Sequence, residues 1–337
     1  MREAPATLPA IFVSGVIERA AARGADRAAL LAAAGASAES LRDPEAPVPL
    51  AMVFAAWEAV LRALRDPAFP VTFARSFSLE DYPVLGFAVM TAPSGREAIA
   101  RLVRFGELVT TSGRWEVEER DDTLRFSWVR PGARTLGMRV TNESAVAELL
   151  QTTRQLLGTE LRAFGASFRH RAPASVHAHD EHFGAPVRWG ADEDGVVLPR
   201  ALLDLVPRLA NPGLSAYFEG RARSRIAQAR TDETLAERVS RVVAEDLADS
   251  EPSLTRAAKR LGTSERTLRR ALASDGVSFR TLVEDVRKTR AEALLADGRT
   301  SLAEVALVLG FSELSAFSRA FKRWTGRSPR DAQRAAV

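Results

Sequence analysis

The sequence predicts an α+β domain followed by an all-α domain that carries a tandem helix-turn-helix. Three observations predict this. Apolar residues recur at three- and four-residue spacing through the first stretch, the pattern switches to strict alternation around Asp121-Asp122, and from Leu214 onward the helical spacing returns with a helix-Gly-helix unit that occurs twice. A chain of 337 residues is also long enough for two domains, each with its own core.

In chain order, Val13 to Ala22, Asp26 to Ala34 and Leu50 to Leu64 read as amphipathic helices, punctuated by Pro44, Pro47, Pro49 and Pro67. Ser94 is a suitable N-cap for a helix over Arg96 to Thr110 with Ile99, Leu102, Val103 and Leu108 on its apolar side. Arg114 to Glu118 and Leu124 to Val129 alternate polar with apolar and predict a β-hairpin. A helix over Ser144 to Leu157 follows, then strands over Ala163 to His170 and Gly195 to Leu198. This gives an α+β domain over residues 1–212, a helical linker over 213–231 around the polar helix Tyr217 to Arg230, and a second domain over 232–337. There Leu235 to Leu247 is closed by Ser250-Glu251-Pro252, and helices are expected over Leu254 to Leu261, Ser264 to Ala273, Phe279 to Ala296, Leu302 to Leu309 and Glu313 to Trp324.

Leu254 to Ser264 matches Leu302 to Ser312 position by position. Each copy places a small Ala (Ala258, Ala306) where a second helix crosses closely, then Leu-Gly at the turn, then a Ser expected to cap the next helix. The two helix-turn-helix units are 254–273 and 302–324, and two such second helices on one chain suit successive major-groove segments about one helical turn apart.

Charge agrees with a polyanionic partner. The net charge is +4, but from Pro252 onward 17 Lys and Arg stand against 9 Asp and Glu, and Lys259, Lys288 and Lys322, the only lysines, lie in that stretch. The absence of Cys excludes disulfide frameworks, thiolate metal sites and cysteine nucleophiles, and fits a cytoplasmic setting. The longest apolar run, Val48 to Leu61, contains Glu58 and falls short of the roughly 20 residues that cross a bilayer, so no membrane partner is expected. The apolar patch Leu8 to Ile17 is broken by Pro9, Ser14 and Gly15 and does not read as a signal peptide. No Gly-x-Ser-x-Gly elbow, Walker loop, GxGxxG or HExxH is present, so no enzyme, no cofactor and no catalytic residue is expected.

The last hundred or so residues resemble the DNA-binding domain of the AraC family of transcription regulators. The residues carrying the resemblance are Leu254 to Ala258, Ser264 to Leu272, Arg287, Ala291 to Leu295, and Gly310-Phe311-Ser312 through Phe317 to Arg330. Leu314, Ala316 and Ala332 depart from the family pattern, which is polar at the first two and aromatic at the third. Pro83 to Ala88, Glu97 to Leu108 and Phe183 to Gly190 are similar to the arabinose-binding-like effector domain of one branch of that family.

On this reading Arg266, Arg269 and Arg270 face away from Leu268 and Leu272 and contact bases, because an Arg fork donates two bonds to guanine O6 and N7. In the second unit Leu314, Ser315, Ser318 and Arg319 are the base-contact candidates, with Leu314 suited to a thymine methyl. Phosphate contacts are expected from Ser264, Thr267, Ser312, Lys322, Arg323, Arg327 and Arg330. Phe54, Trp57, Phe87, Trp115, Trp128 and Trp189 are candidate walls of an effector cavity, with ordinary core as the alternative. His170, His177, His179 and His182 cluster, but spacings of two and three do not match zinc patterns and no metal is expected. The expected function is a sequence-specific transcription regulator that binds double-stranded DNA as a homodimer, works with RNA polymerase and answers to a small-molecule effector. The alternative is a ligand-independent architectural or dimeric DNA-binding regulator.

Overall fold

A computed structural model of the chain describes residues 6–132, 134–158, 160–232, 234–249, 251–297 and 300–334. Residues 1–5 and 335–337, the expected domain ends, and Ser250 lie outside the described residues. The chain divides into two compact units, one built from Ala6–Arg130 and Thr135–Ala227, the other running from Gln228 onward.

The N-terminal unit begins with β1 (Thr7–Pro9), α1 (Ala10–Ala21), α2 (Arg27–Ala34), β2 (Pro47–Pro49), α3 (Leu50–Leu64), α4 (Phe69–Arg75), α5 (Pro83–Met90) and α6 (Gly95–Phe105). β1 and β2 form a short antiparallel ribbon. The apolar stripes of α1 to α4 close on one another around Ile17, Val60, Trp57, Phe69 and Phe73, with Trp57 edge-on to Phe73 at 5.2 Å. Asp26 and Ser94 cap α2 and α6, as their side chains suit them to do. The buried face of α6 runs through Ala98, Arg101 and Phe105, which turns Val103 outward rather than onto the apolar side, and the helix stops at Phe105.

The alternating segments form the hairpin β3 (Arg114–Arg120) and β4 (Thr123–Val129), with Asp121 in the left-handed region of the turn. Next come α7 (Leu136–Leu157), β5 (Gly165–Phe168), α8 (His177–Phe183), β6 (Val187–Trp189), β7 (Gly195–Pro199) and α9 (Pro212–Asp232). The five strands lie in the order β3-β4-β7-β5-β6, antiparallel except for the β5–β6 pair. Leu124, Phe126 and Trp128 of β4 point inward and meet Val146, Leu149 and Leu150 of α7 in a second core. α7 crosses α3 so closely that a Cβ on Gly137 would stand 2.6 Å from Phe54 Cβ, and the Glu58 carboxylate of α3 accepts the Gly137 N–H at 3.0 Å. This helix starts eight residues before the expected Ser144. Its early turns carry the polar residues Thr141, Asn142 and Glu143, which are buried because each finds a partner inside the unit.

α9 spans the stretch expected as a linker, and the division between the units falls within it. In the N-terminal unit Phe218 stacks on Phe87 at 4.9 Å, and Glu219 meets the buried Arg101 guanidinium at 2.8 Å.

The C-terminal unit holds α10 (Leu235–Asp249), α11 (Leu254–Arg260), α12 (Glu265–Ser274), α13 (Phe279–Asp297), α14 (Leu302–Val308), α15 (Leu314–Thr325) and α16 (Pro329–Arg334). It has two cores. Val239, Val243, Ala258, Leu268 and Leu272 surround Leu282 and Val286 from the first half of α13. Ala306, Leu309, Phe317 and Phe321 surround Ala291 and Leu295 from its second half, with Ala332 of α16 completing that core.

Candidate nucleic-acid interface and effector domain

The two repeats fold as helix-turn-helix units. Ser253 and Ser301 cap α11 and α14, and Gly262 (φ +67°) and Gly310 (φ +74°) make the turns in a conformation that side chains with a Cβ rarely adopt. Ser264 caps α12 by accepting the Thr267 N–H at 3.1 Å. The second unit differs from the expected pattern. Glu313, not Ser312, occupies the N-cap of α15 and makes no side-chain cap hydrogen bond, so Ser312 stands exposed one residue before the helix entry.

On α12 the separation of faces is complete. Leu268 and Leu272 are buried, whereas Arg266, Arg269 and Arg270 are exposed and enter no ion pair among the described residues. Arg256 and Arg260 on α11 behave differently, being tied to Glu245 and Asp246 of α10. The basic residues of this unit therefore include internally neutralised groups on α11 as well as the free face of α12. On α15 Phe317 and Phe321 are buried, Leu314 is 41% exposed, Ser315 and Arg319 are exposed and Ser318 is half-buried. The Ser315 hydroxyl donates to Glu313 at 3.0 Å. Of the expected phosphate ligands, Lys322, Arg327 and Arg330 are exposed, Arg323 pairs with Glu284 of α13 at 3.2 Å, and the Ser264 and Thr267 hydroxyls lie 2.8 Å apart.

The six aromatics proposed for an effector cavity occupy separate places in the N-terminal unit. Trp57 belongs to the helical core, Phe54 packs at the α3–α7 crossing, and Phe87 stacks on Phe218. Trp115 and Trp128 form a cross-strand pair 4.9 Å apart, and Trp189 lies against His170 and His179. None of them lines any of three cavities found among the described residues of this unit. These are an apolar one of about 40 Å³ beside Ile99, Leu102, Leu149 and Leu156, a polar one of about 560 Å³ beside Arg75, Arg154 and Arg208, and one of about 140 Å³ beside Phe12, Tyr82 and Arg225.

Three of the four histidines, His170, His179 and His182, meet polar groups of α7, whereas His177 is exposed at the start of α8. His179 Nε2 and His170 Nε2 lie 2.8 and 3.2 Å from the two oxygens of Glu143. Burial raises the Glu143 carboxyl, but the two imidazoles outweigh it and hold the group below the ordinary carboxylate range. His182 donates to the Ala147 carbonyl at 3.0 Å, and burial pushes its pKa down to about 4. One turn further along α7, burial raises Glu148 to about 7 against the hydrogen bonds from Ser144 and Tyr82. Among the described residues no three His, Asp or Glu side chains are arranged to hold a metal ion.

An α+β unit followed by two helix-turn-helix units, with a free arginine face on the first second-helix, is the architecture of a DNA-binding transcription regulator. The arabinose-binding domain of AraC transcription regulators matches residues 24–206, and a helix-turn-helix domain matches residues 257–335. The chain belongs to the AraC family of transcription regulators. It is 26% identical to the ornithine utilization regulator of Pseudomonas aeruginosa over 96% of this chain and 95% of that protein. It is 31% identical to the transcriptional regulator VirS of Mycobacterium tuberculosis over 56% of this chain and 55% of VirS. Among solved structures, the transcriptional regulator CdpR of Pseudomonas aeruginosa matches with 26% identity and a TM-score of 0.42, over 83% of this chain and 90% of CdpR. No described helix is long and apolar enough to cross a membrane.

Proposed function

We propose that α12 and α15 are the two recognition helices of an effector-controlled regulator that acts as a homodimer in the cytoplasm and engages RNA polymerase at its promoters. Arg266, Arg269 and Arg270 read base edges from α12, and Leu314, Ser315, Ser318 and Arg319 read them from α15. Lys322, Arg323, Arg327 and Arg330, with Ser264, Thr267 and Ser312, hold phosphates and fix the register. The observation that carries this reading is the unpaired arginine face of α12 opposite Leu268 and Leu272. Arginines that lack an internal carboxylate keep their donors for a ligand, and a basic helix opening after a tight turn fits the major groove.

Selection of bound duplexes from a random pool tests it. The full chain enriches one motif with two segments about one helical turn apart. The Arg269→Ala, Arg270→Ala double variant loses enrichment in one segment only. A pool in which neither protein enriches a motif contradicts the reading.

A further inference from the structure

The cavity of about 140 Å³ in the N-terminal unit has apolar walls formed by Ile11, Phe12, Val84, Leu85 and Leu108. Tyr82 closes one side, its ring packed on Phe12 and its hydroxyl donating to the buried Glu148 at 2.9 Å. Four charged side chains line it, and three are acidic: Glu45, Glu80 and Asp81. The fourth is Arg225, which reaches in from α9 and places both terminal nitrogens 3.1 Å from one oxygen of Glu45. The cavity thus already holds a cation, and the cation belongs to this chain. Both partners are partly exposed, so the pair is weak and open to exchange.

The position of Arg225 makes the exchange consequential. It lies in the last turn that α9 contributes to the N-terminal unit, two residues before Ala227, and the same helix continues in the chain toward the second unit. Glu219 and Phe218 secure α9 further back, on Arg101 and Phe87. Glu45 is therefore a separate tie on the last turn that α9 contributes to this unit, beside Ile226, which packs on the core around Phe105.

We infer that this cavity is the effector site, that it takes a small apolar molecule bearing one cationic head, and that the head displaces Arg225 from Glu45 and frees the end of α9. The inference rests on the effector-controlled reading above. The apolar walls bury the body of such a molecule, and the acidic lining selects against an anion of the same shape. Because the ligand and the Arg225–Glu45 tie exclude one another, binding favours the conformers in which the tie is open.

Calorimetric titration of the full chain without DNA tests the site, with hexylammonium and hexanoate as probes. Hexylammonium binds and hexanoate does not. Arg225→Gln removes the internal competitor and tightens hexylammonium binding by up to about fivefold, the range of an exposed ion pair. Glu45→Gln weakens it, and Val84→Trp, which fills the cavity and leaves the ion pair in place, abolishes it. Equal or tighter binding of hexanoate, or binding that none of the three variants alters, overturns the inference. Addition of hexylammonium to the wild-type chain on its selected duplex shifts operator affinity, and Arg225→Gln shifts it in the same direction without ligand. Binding with no shift in either case overturns the coupling to α9. A chain that selects no duplex yet binds hexylammonium as described leaves the site standing and removes only the DNA-binding reading.

Discussion

Glu143 Oε1 lies 2.8 Å from His179 Nε2, and both groups are sealed inside the N-terminal unit. The second oxygen of the same carboxylate faces His170, so one acid on α7 ties together α8 and the chain that leaves β5. A buried charge is tolerated here because both of its oxygens have partners.

Acid stability follows from this pairing. Glu143 titrates below its ordinary value of 4.5, so its stabilising contribution is present above about that pH and is lost as pH falls through the depressed folded-state value. Glu143→Gln, which has no carboxyl to protonate, flattens this acid limb in melting temperatures measured between about pH 3 and 6. An acid limb as steep as that of the wild type would assign it to other carboxylates.

Glu148 acts in the opposite direction. Its folded-state pKa of about 7 stands above the ordinary 4.5, so the protonated form is favoured by folding, and that stability is lost as pH rises from about 4.5 through 7. Glu148→Gln mimics the protonated acid between Ser144 and Tyr82, and raises stability at pH 8 by a ceiling of about 3 kcal/mol. Urea denaturation at pH 5 and pH 8 checks the sign. The variant gains at the higher pH, and a loss at both would show that the carboxylate is needed in its charged form.

In the C-terminal unit Ala306 is buried where α14 meets α15, in the core around Phe317. Ala306→Leu overpacks this crossing at a cost of about 1–3 kcal/mol and loosens the second helix-turn-helix before the first. Amide exchange reports it. Faster exchange in α14 and α15 with unchanged protection in α12 is the expected pattern, because the two cores share only α13.

The elements most legible in the sequence are those with one wet face and one dry face. α3 has the bounds expected from its apolar spacing, and the β3–β4 hairpin and the two faces of α12 follow from alternation and from the Leu268, Leu272 pair. α4 and α5 were not legible, because a helix such as Pro83–Met90 is apolar on nearly every side and shows no period. α8 was hidden for the converse reason. His179 and His182 are polar residues that become interior only when Glu143 and the Ala147 carbonyl meet them, and that depends on tertiary contact. The same holds for Ser312. A Ser after the turn matches Ser264 in sequence, but α15 begins one residue later, behind Glu313. The arginine face was visible in the sequence, whereas the Arg225–Glu45 tie joins residues far apart in the chain.

The central claim is that the free arginines of α12 read sequence while the basic residues at the end of α15 hold phosphates. The most direct test is a titration of the full chain and of the Arg270→Ala and Lys322→Ala variants on the selected operator and on a scrambled duplex, across a range of salt concentrations. Arg270→Ala is expected to weaken operator binding by about 1–3 kcal/mol, leave scrambled binding nearly unchanged and keep the wild-type melting temperature. Lys322→Ala is expected to weaken both duplexes alike and lower the salt slope by about one. An Arg270→Ala variant that loses operator and scrambled binding equally, or neither, would contradict the assignment of α12 as a reader of bases.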